Sequence, residues 1–589
     1  LIKAYGADSA DGRAATPERS LFRIASISKT FTWLSLLQMI EEGKVGLDAP
    51  VNTYLPAAAR VPDAGYRQPV LVRHLFTHSA GFEDSQVAGR LFRADMRGAL
   101  PLAQEVGLRP PARVRRPGEA AIYSNYGSSL AGLIVQEVGG QEFQARVESR
   151  IFGPLGMQRT TFREPYPADP RLPAPMSEAL AKDVSKGFSW RGGRAVERPF
   201  EFVTSSAPAG GASTTAEDMA RYMRMFLNQG ELDSQRIISA ETVAKLAGEP
   251  LFANAPGMNG LAYGFMQTRS RKGWRAYGHG GNTLWFASWM AIYPELDIGV
   301  FVVGNTEGSS GKLQVDVPRA IIDRFFPTAP DFAPIPKPDA TAANALQRLA
   351  GDFLVDRRSF TTVEKSFCLA QCLITVTAAA DGQLVISSGA QASRFAPHDV
   401  ITEGARTYHR FRHVETGEMA AFIAEANEPL HYVGSAGISR ATRIDWTQAP
   451  STFYLILTLA MLAAAFALAS GLWRALRRRR EGSETRIVGA LLPATGLVWL
   501  GAFGALLAWI IPLASDTWLV FSAWPPASLA PGHWLAVLAS VLTAACIVLT
   551  ALGWRRADWS FWRRGRLILT LAALTAAPWA LWQWNLLWP

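Results

Sequence analysis

The spacing of apolar residues changes near residue 446. Before that point apolar positions fall in short runs broken by Gly, Pro and charge; beyond it four runs, at 453–473, 487–513, 534–553 and 567–588, are each about 20 residues or longer. Such runs are long enough to cross the hydrocarbon core of a bilayer, so four transmembrane helices are predicted over 447–589. In the first part, the run SISKTFTWLSLLQMIEEG beginning at Ser26 has no Pro and no internal Gly, and it closes on Gly43, where a left-handed cap would sit. It predicts a helix that is apolar nearly all round and therefore buried. Shorter helices are predicted near 70–81, over 128–138 and from residue 216, the last capped by Thr214 or Thr215. LWFASWMAIY and LDIGVFVVGN read as two strands joined by a Pro-containing turn, and residues 1–5 as the tail of another strand.

These patterns divide the 589 residues into a mixed helix and strand domain over 1–326, a semi-rigid Pro-rich linker over 327–340, and a small β-rich domain over 341–446. In the last of these, alternating runs such as GQLVISS, AAFIAEA and PLHYVGS are parted by Gly and Asp turns, which suggests a barrel-like accessory module without chemistry of its own. Leu1 is neither an initiator Met nor the start of a signal sequence, so a start trimmed relative to an exported precursor is expected.

The formal net charge of +10 changes the picture less than its position does. After Trp446 there are eleven Arg, no Lys and four acidic residues, a surplus of seven, and the remainder of the chain is nearly neutral. A nucleic-acid partner is therefore not expected. The arginines cluster between the first two apolar runs (Arg474 and 477–480) and between the last two (Arg555, Arg556, Arg563, Arg564 and Arg566), whereas 514–532 contains no Lys or Arg. Short Arg-rich loops stay in the cytoplasm, which places both clusters inside, the loop around Asp516 outside, and residues 1–446 on the periplasmic or exterior face of the cytoplasmic membrane. Thirteen of the 19 Trp residues, among them Trp473, Trp534, Trp554 and Trp588, lie in this region, many at run ends, as an interfacial belt requires. The lipid bilayer is the expected partner; protein partners are not assigned. With only three cysteines there is no disulfide framework, and Cys368 and Cys372 have no ligand cluster beside them, so neither a metal site nor a pairing is expected there.

Candidate chemistry stands at three places. Ser26 and Lys29 are three apart at the start of the long helix, so an amine can stand beside the hydroxyl and, if buried, be depressed enough to help it react. Tyr123 and Asn125 offer a phenol and an amide two residues apart in a turn: one can move a proton and the other can bind a substrate amide. His279, Gly280, Gly281 and Asn282 adjoin a predicted strand, where a substrate backbone can lie along the edge and a backbone amide can join that of Ser26 in an oxyanion hole. His74 and His78 have the spacing of a zinc pair, but Leu75 replaces the Glu of H-E-x-x-H and no third ligand follows, so they are read as structural. The Gly-rich turn at Gly210 and Gly211 lacks the phosphate-loop pattern. No cofactor or metal is expected.

Each motif alone is ordinary, but their order and spacing resemble the three-motif signature of the serine β-lactamase and penicillin-binding superfamily: Ser26-Ile27-Ser28-Lys29, then Tyr123-Ser124-Asn125, then His279-Gly280-Gly281. The likeness is greatest to the class C β-lactamase-related branch, which includes esterases and D-aminopeptidases, and LFRIASISKTF, VRHLFTHSAGF and PAGGASTTAEDMARYM extend it over 1–326. The resemblance implies an α/β (α+β) two-lobed catalytic domain with its site between the lobes, Ser26 as the acylated nucleophile, Lys29 and Tyr123 as its activators, and Asn125 as a substrate contact. Which activator is the base is left open. The third motif usually begins with Lys, which attracts a drug's carboxylate; here His279 stands there, charged only below a pKa of about 6.5 when unperturbed. We therefore expect a membrane-anchored serine hydrolase of esters or peptides, D-amino-acid peptides among them. The alternatives are a β-lactamase or DD-peptidase, and a penicillin-type sensor that is acylated without turnover. A carboxylate contact by protonated His279 would raise turnover of carboxylate substrates toward pH of about 6.

Overall fold

A computed structural model describes residues 1–587 apart from 86–90, 330–339, 341–342, 477–482, 516–517, 519–526 and 556–558. The chain forms two compact units, Leu1–Arg357 with Ile374–Arg443, and Arg358–Leu373 with Ile444–Pro589.

The first unit is built round α1 (Ser28–Glu41), in which every residue from Ser28 to Met39 is buried. A helix buried on all sides must pair its polar side chains internally. Thr32 Oγ1 donates to the Pro208 carbonyl at 2.8 Å, Gln38 Nε2 to the Ile237 carbonyl at 2.9 Å, and Ser28 Oγ accepts from the Ala212 amide at 3.0 Å. Phe31 lies in an aromatic cluster with Tyr222, Phe152 and Phe162, at centroid distances of 4.4, 5.0 and 6.2 Å. Against α1 packs α2 (Asn125–Gly139), capped by Ser124, whose Oγ accepts from the Gly127 amide. In α3 (Ala216–Leu227) it is Thr215 that caps, accepting from the Asp218 amide at 3.2 Å.

An antiparallel meander, β1 (Leu261–Ala262), β2 (Phe265–Arg269), β3 (Arg275–Asn282), β4 (Ala287–Tyr293) and β5 (Ile298–Gly304), forms the sheet beside α3. The register pairs Met290 with His279 and Ser288 with Gly281. The third motif is thus part of a central strand, not a loop next to one. At Gly278 a Cβ would run into the Met290 carbonyl, so no larger residue fits that register. Residues 1–5 form no strand, contrary to expectation; their side chains are mostly exposed, which leaves no apolar face to pair.

The accessory region of this unit is a closed barrel of β6 (Gly351–Val355), β7 (Leu373–Ala378), β8 (Leu384–Ser388), β9 (Gln391–Glu403), β10 (Arg406–His413), β11 (Met419–Glu425), β12 (His431–Val433) and β13 (Arg440–Arg443). Phe353, Phe411 and Phe422 fill it. It docks on the segment leading to Tyr123: Asn254 Nδ2 donates to both the Ala121 and Gly437 carbonyls, at 3.0 and 2.9 Å, and Asn254 Oδ1 accepts from the Ala121 amide at 2.9 Å.

The second unit contains α4 (Pro450–Leu476), α5 (Ser483–Ser515), α6 (Leu529–Gly553) and α7 (Phe561–Gln583), which hold four spans long and apolar enough to cross a membrane. Small residues set the close approach of α4 and α5, where a Cβ on Gly471 would collide with Pro493 and one on Gly496 would stand 2.5 Å from the Ala464 carbonyl oxygen. Trp499 donates to Thr543 Oγ1 at 3.0 Å between α5 and α6. Joined to these helices is the excursion Arg358–Leu373, which leaves the barrel between β6 and β7. Asn585 Nδ2, just after α7, donates to the Phe360 and Thr362 carbonyls, both at 2.9 Å, and Tyr454 near the start of α4 donates to the Leu369 carbonyl at 3.3 Å. Cys368 and Cys372 form a disulfide, contrary to the expectation of no pairing, because a single helical turn brings their Cα atoms to 4.5 Å. Most of the Pro-rich linker, residues 477–480, Arg556, Asp516 and Trp588 lie outside the described residues.

Truncating a buried aromatic leaves a cavity as well as losing its transfer energy, so Phe31→Ala is expected to destabilise the first unit by about 3–5 kcal/mol. Thermal unfolding of the purified protein, followed by near-ultraviolet circular dichroism, measures this; a loss below about 1 kcal/mol would show that α1 is not its centre.

Candidate active site

A 3-10 turn, Ala25–Ile27, leads into α1, and its first residue has φ of 47°, a left-handed conformation that Ala seldom adopts. Such strain persists where the surroundings enforce it. Upstream, Arg23 is wholly buried in an ion pair with Glu164 at 2.8 Å. On the other side, a Cβ on Gly281 of β3 would run into the Ile24 carbonyl and stand 3.1 Å from the Ser26 amide nitrogen. The turn leaves Ser26 partly accessible among buried neighbours.

Lys29 is fully buried, with Nζ 3.0 Å from Ser26 Oγ, 2.8 Å from Asn125 Oδ1 and in contact with the Ala209 carbonyl. Among the described residues no carboxylate bonds to it. Burial, and secondly the charge of Arg357, hold its pKa well below the ordinary 10.5 against the opposing pull of Asp84. The Asn125 amide and Ala209 carbonyl oxygens can only accept, so in its neutral form the amine would give both N–H groups to them and keep its lone pair for the Ser26 hydroxyl.

Tyr123 immediately precedes α2, and its ring is the hub of the site. Lys29 Nζ lies 4.9 Å from its centroid and Arg357 Cζ 4.6 Å; the His78 ring is at 4.4 Å and the His279 ring at 5.9 Å. Its buried Oη has no hydrogen-bond partner among the described residues, although Ser26 stands near enough to favour the ionised phenol. Burial outweighs that influence and pushes the phenol well above its ordinary 10, so it is protonated at neutral pH.

His279 is 1 % exposed. Its Nδ1 lies 2.5 Å from the Gly280 carbonyl, which cannot donate, so Nδ1 carries the proton and Nε2 is a buried acceptor without a partner among the described residues. Burial, and then Lys29, lower its pKa to about 3. The expectation that a protonated His279 attracts a carboxylate near pH 6 is thereby corrected: the ring is uncharged throughout that range. Asn282 is exposed at the end of β3, where Gln314 Nε2 donates to its Oδ1 at 3.0 Å and to the Gly281 carbonyl at 2.9 Å.

The fold thus gathers Ser26, Lys29, Tyr123, Asn125 and His279 in one cluster, with Gly281 against the Ser26 turn. It also adds residues that sequence reasoning missed. His78, read as structural, accepts from the Ser124 amide at 3.3 Å through Nδ1, and its carbonyl accepts from Ile122, so it clamps the Tyr123 segment; its place in THSAGF was the available signal. His74 instead accepts from the Leu71 amide at 3.0 Å. Arg357 and its partner Asp84, at 2.9 Å, gave no signal, because nothing in a β-rich segment announces a contact with a distant tyrosine. Among the described residues no group of three or more His, Cys, Asp or Glu is placed to hold a metal.

The chain is similar to several known proteins. An uncharacterised protein of Mycobacterium tuberculosis is 29% identical over 302 residues, covering 46% of this chain and 73% of that protein. The D-alanyl-D-alanine-carboxypeptidase/endopeptidase AmpH of Escherichia coli is 26% identical over 314 residues, covering 51% of this chain and 75% of AmpH. Among solved structures, the octameric penicillin-binding protein homologue from Pyrococcus abyssi aligns with 75% of this chain and 92% of its own, at a TM-score of 0.46 and 22% identity. Residues 1–322, more than half of the chain, match the Beta-lactamase family, and the chain belongs to that family.

Proposed function

We propose that this chain is a membrane-anchored serine hydrolase that cleaves esters or peptides, D-amino-acid peptides among them, outside the cytoplasmic membrane. The observation that carries the reading is the buried Lys29 amine, 3.0 Å from Ser26 Oγ and without a carboxylate partner among the described residues. In the proposed sequence Ser26 Oγ attacks the carbonyl carbon while its proton passes to Lys29 Nζ. The C–O or C–N bond then breaks, and the leaving group takes that proton through the Tyr123 hydroxyl. Water, giving a proton to the same amine, attacks the acyl carbon; the bond to Ser26 Oγ breaks, the acid is released, and Oγ takes the proton back. Lys29 is preferred to Tyr123 as the base, because a phenol pushed up by burial is not ionised at neutral pH. Asn125 Oδ1 is held by Lys29, which leaves its Nδ2 to donate to a substrate carbonyl. The backbone of His279, Gly280, Gly281 and Asn282 is assigned to the substrate edge, with the Ser26 and Asn282 amides as oxyanion donors.

An uncharged His279 does not itself supply the attraction to a lactam carboxylate that a Lys gives at that position of the third motif. The peptidase named among the relatives supports the peptide side of this reading. For the membrane face, the arginine clusters argue as before, and the Cys368–Cys372 disulfide adds an independent argument. Disulfides persist in oxidising compartments, and this one lies in the segment bonded to residues at the start of α4 and the end of α7.

Ser26→Ala is expected to abolish fluorophosphonate labelling and to lower turnover by about a millionfold, measured against short esters, D-Ala-terminated peptides and a chromogenic cephalosporin. Residual activity within about tenfold of wild type would remove Ser26 from its role. Since a protonated amine cannot accept the Ser26 proton, kcat/KM for a neutral ester should fall as pH drops through the Lys29 pKa and be fully developed well below pH 10.5. Lys29→Arg, which stays protonated, should be inactive at every pH; an active variant would transfer the base role elsewhere. For topology, a reporter active only in the cytoplasm should work when fused after Arg480 or Arg564 and fail after Ser528, and the reverse pattern would put the site inside the cell.

A further inference from the structure

We propose that Arg357, carried into the active site from the end of barrel strand β6, is a specificity-determining residue that anchors an anionic group of the substrate, a carboxylate by the shape of its fork. The inference rests on the hydrolase reading above and adds a substrate-facing role for the barrel. Its base is rigid. Asp356, the residue before it, accepts from Arg440 Nε at 2.6 Å and Thr442 Oγ1 at 2.7 Å, its amide donates to the Arg440 carbonyl at 2.8 Å, and its carbonyl accepts from Arg115 at 3.1 Å. From that clamp Arg357 extends over the Tyr123 ring, Cζ 4.6 Å from the centroid. Asp84, with a side chain only 6% exposed, takes its Nε at 2.9 Å.

That bond at Nε and the packing over the Tyr123 ring together position the guanidinium. Among the described residues its terminal nitrogens donate to no protein acceptor, and 35% of the side chain is open to solvent. An arginine fork matches a carboxylate with two parallel bonds. The surroundings also call for such a charge. Lys29, His78 and His279, the other basic groups round the Tyr123 ring, are all held toward their neutral forms by burial, whereas an arginine keeps its charge at any working pH. The barrel thus supplies the substrate-facing cation that the third motif lacks.

The test uses the full chain in detergent and three esters: 4-nitrophenyl acetate, which is neutral; mono-4-nitrophenyl succinate, with a carboxylate on the acyl side; and 4-acetoxybenzoate, with one on the leaving group. Arg357→Gln is expected to lower the ratio of kcat/KM for at least one carboxylate ester to that for the neutral ester by about tenfold or more, mainly through KM. Arg357→Lys should recover part of it, keeping charge without the fork. The ester that responds reports the side on which the anion sits. Unchanged ratios for both carboxylate esters in a Gln variant that still labels with fluorophosphonate would overturn the proposal, since a purely structural arginine would shift all three esters together. If the Gln variant does not fold, the Lys variant decides in the same way, by a lowered or an unchanged ratio. If wild type turns over none of the esters, the hydrolase reading fails separately, and binding of 4-acetoxybenzoate to the Ser26→Ala protein with and without Arg357→Gln decides: about tenfold weaker binding supports the anchor and equal binding overturns it.

Discussion

An amine held dry and without a counter-charge is the constraint on which the first unit depends. Lys29 could accept a proton from Ser26 only in its neutral form, and the burial of α1 along almost its whole length pushes it toward that form, holding its pKa well below the ordinary 10.5. Hydrophobic core and chemistry are therefore one feature here. The aromatic cluster round Phe31 and the internal bonds of Ser28, Thr32 and Gln38 keep water from the helix. Without that exclusion the ammonium form would be favoured, and a charged lysine at 3.0 Å from Ser26 Oγ could only donate to it.

Around that amine the site is assembled from elements far apart in the chain. The turn before α1 supplies Ser26 and the helix itself Lys29, the segment before α2 supplies Tyr123 and the helix's first residue is Asn125, and β3 closes the other side with Gly281, where only a hydrogen fits against the Ile24 carbonyl. The rings of His78, Tyr123 and His279 pack together and are held neutral by the same desolvation that acts on Lys29. The basic groups of the site are thus all shifted by burial toward their uncharged forms. Arg357 and Asp84 stand at its margin as a pair of opposite sign.

The barrel bears on this site directly. Asn254 ties the barrel to Ala121, two residues before Tyr123, so the accessory strands share in fixing the Tyr123 segment. Between β6 and β7 the chain leaves the barrel for the excursion that holds the Cys368–Cys372 disulfide and joins the helical unit. Arg357 is the last residue before that excursion, so one stretch of chain runs from the site into the helical unit.

Features that depend on local pattern or on residues close in sequence were legible without coordinates. The long apolar runs, the helix following Ser26, the alternation that became a closed barrel, and the i,i+3 pairing of Ser26 with Lys29 all follow from periodicity, and the order of the three motifs indicated the family. What the tertiary structure alone decided was environment. His279 has an ordinary imidazole in sequence and becomes a neutral group only when β3 is buried. Tyr123 could have been read as a base until the rings and cations round it showed a phenol pushed up by desolvation. Cys368 and Cys372 were too few to announce a disulfide until one helical turn brought them together. Arg357 reaches Tyr123 only because the barrel closes and docks, and a contact between distant segments leaves no periodicity behind. Periodicity records which face of an element is buried; the dielectric around a side chain is set by every element packed against it, and so it belongs to the fold.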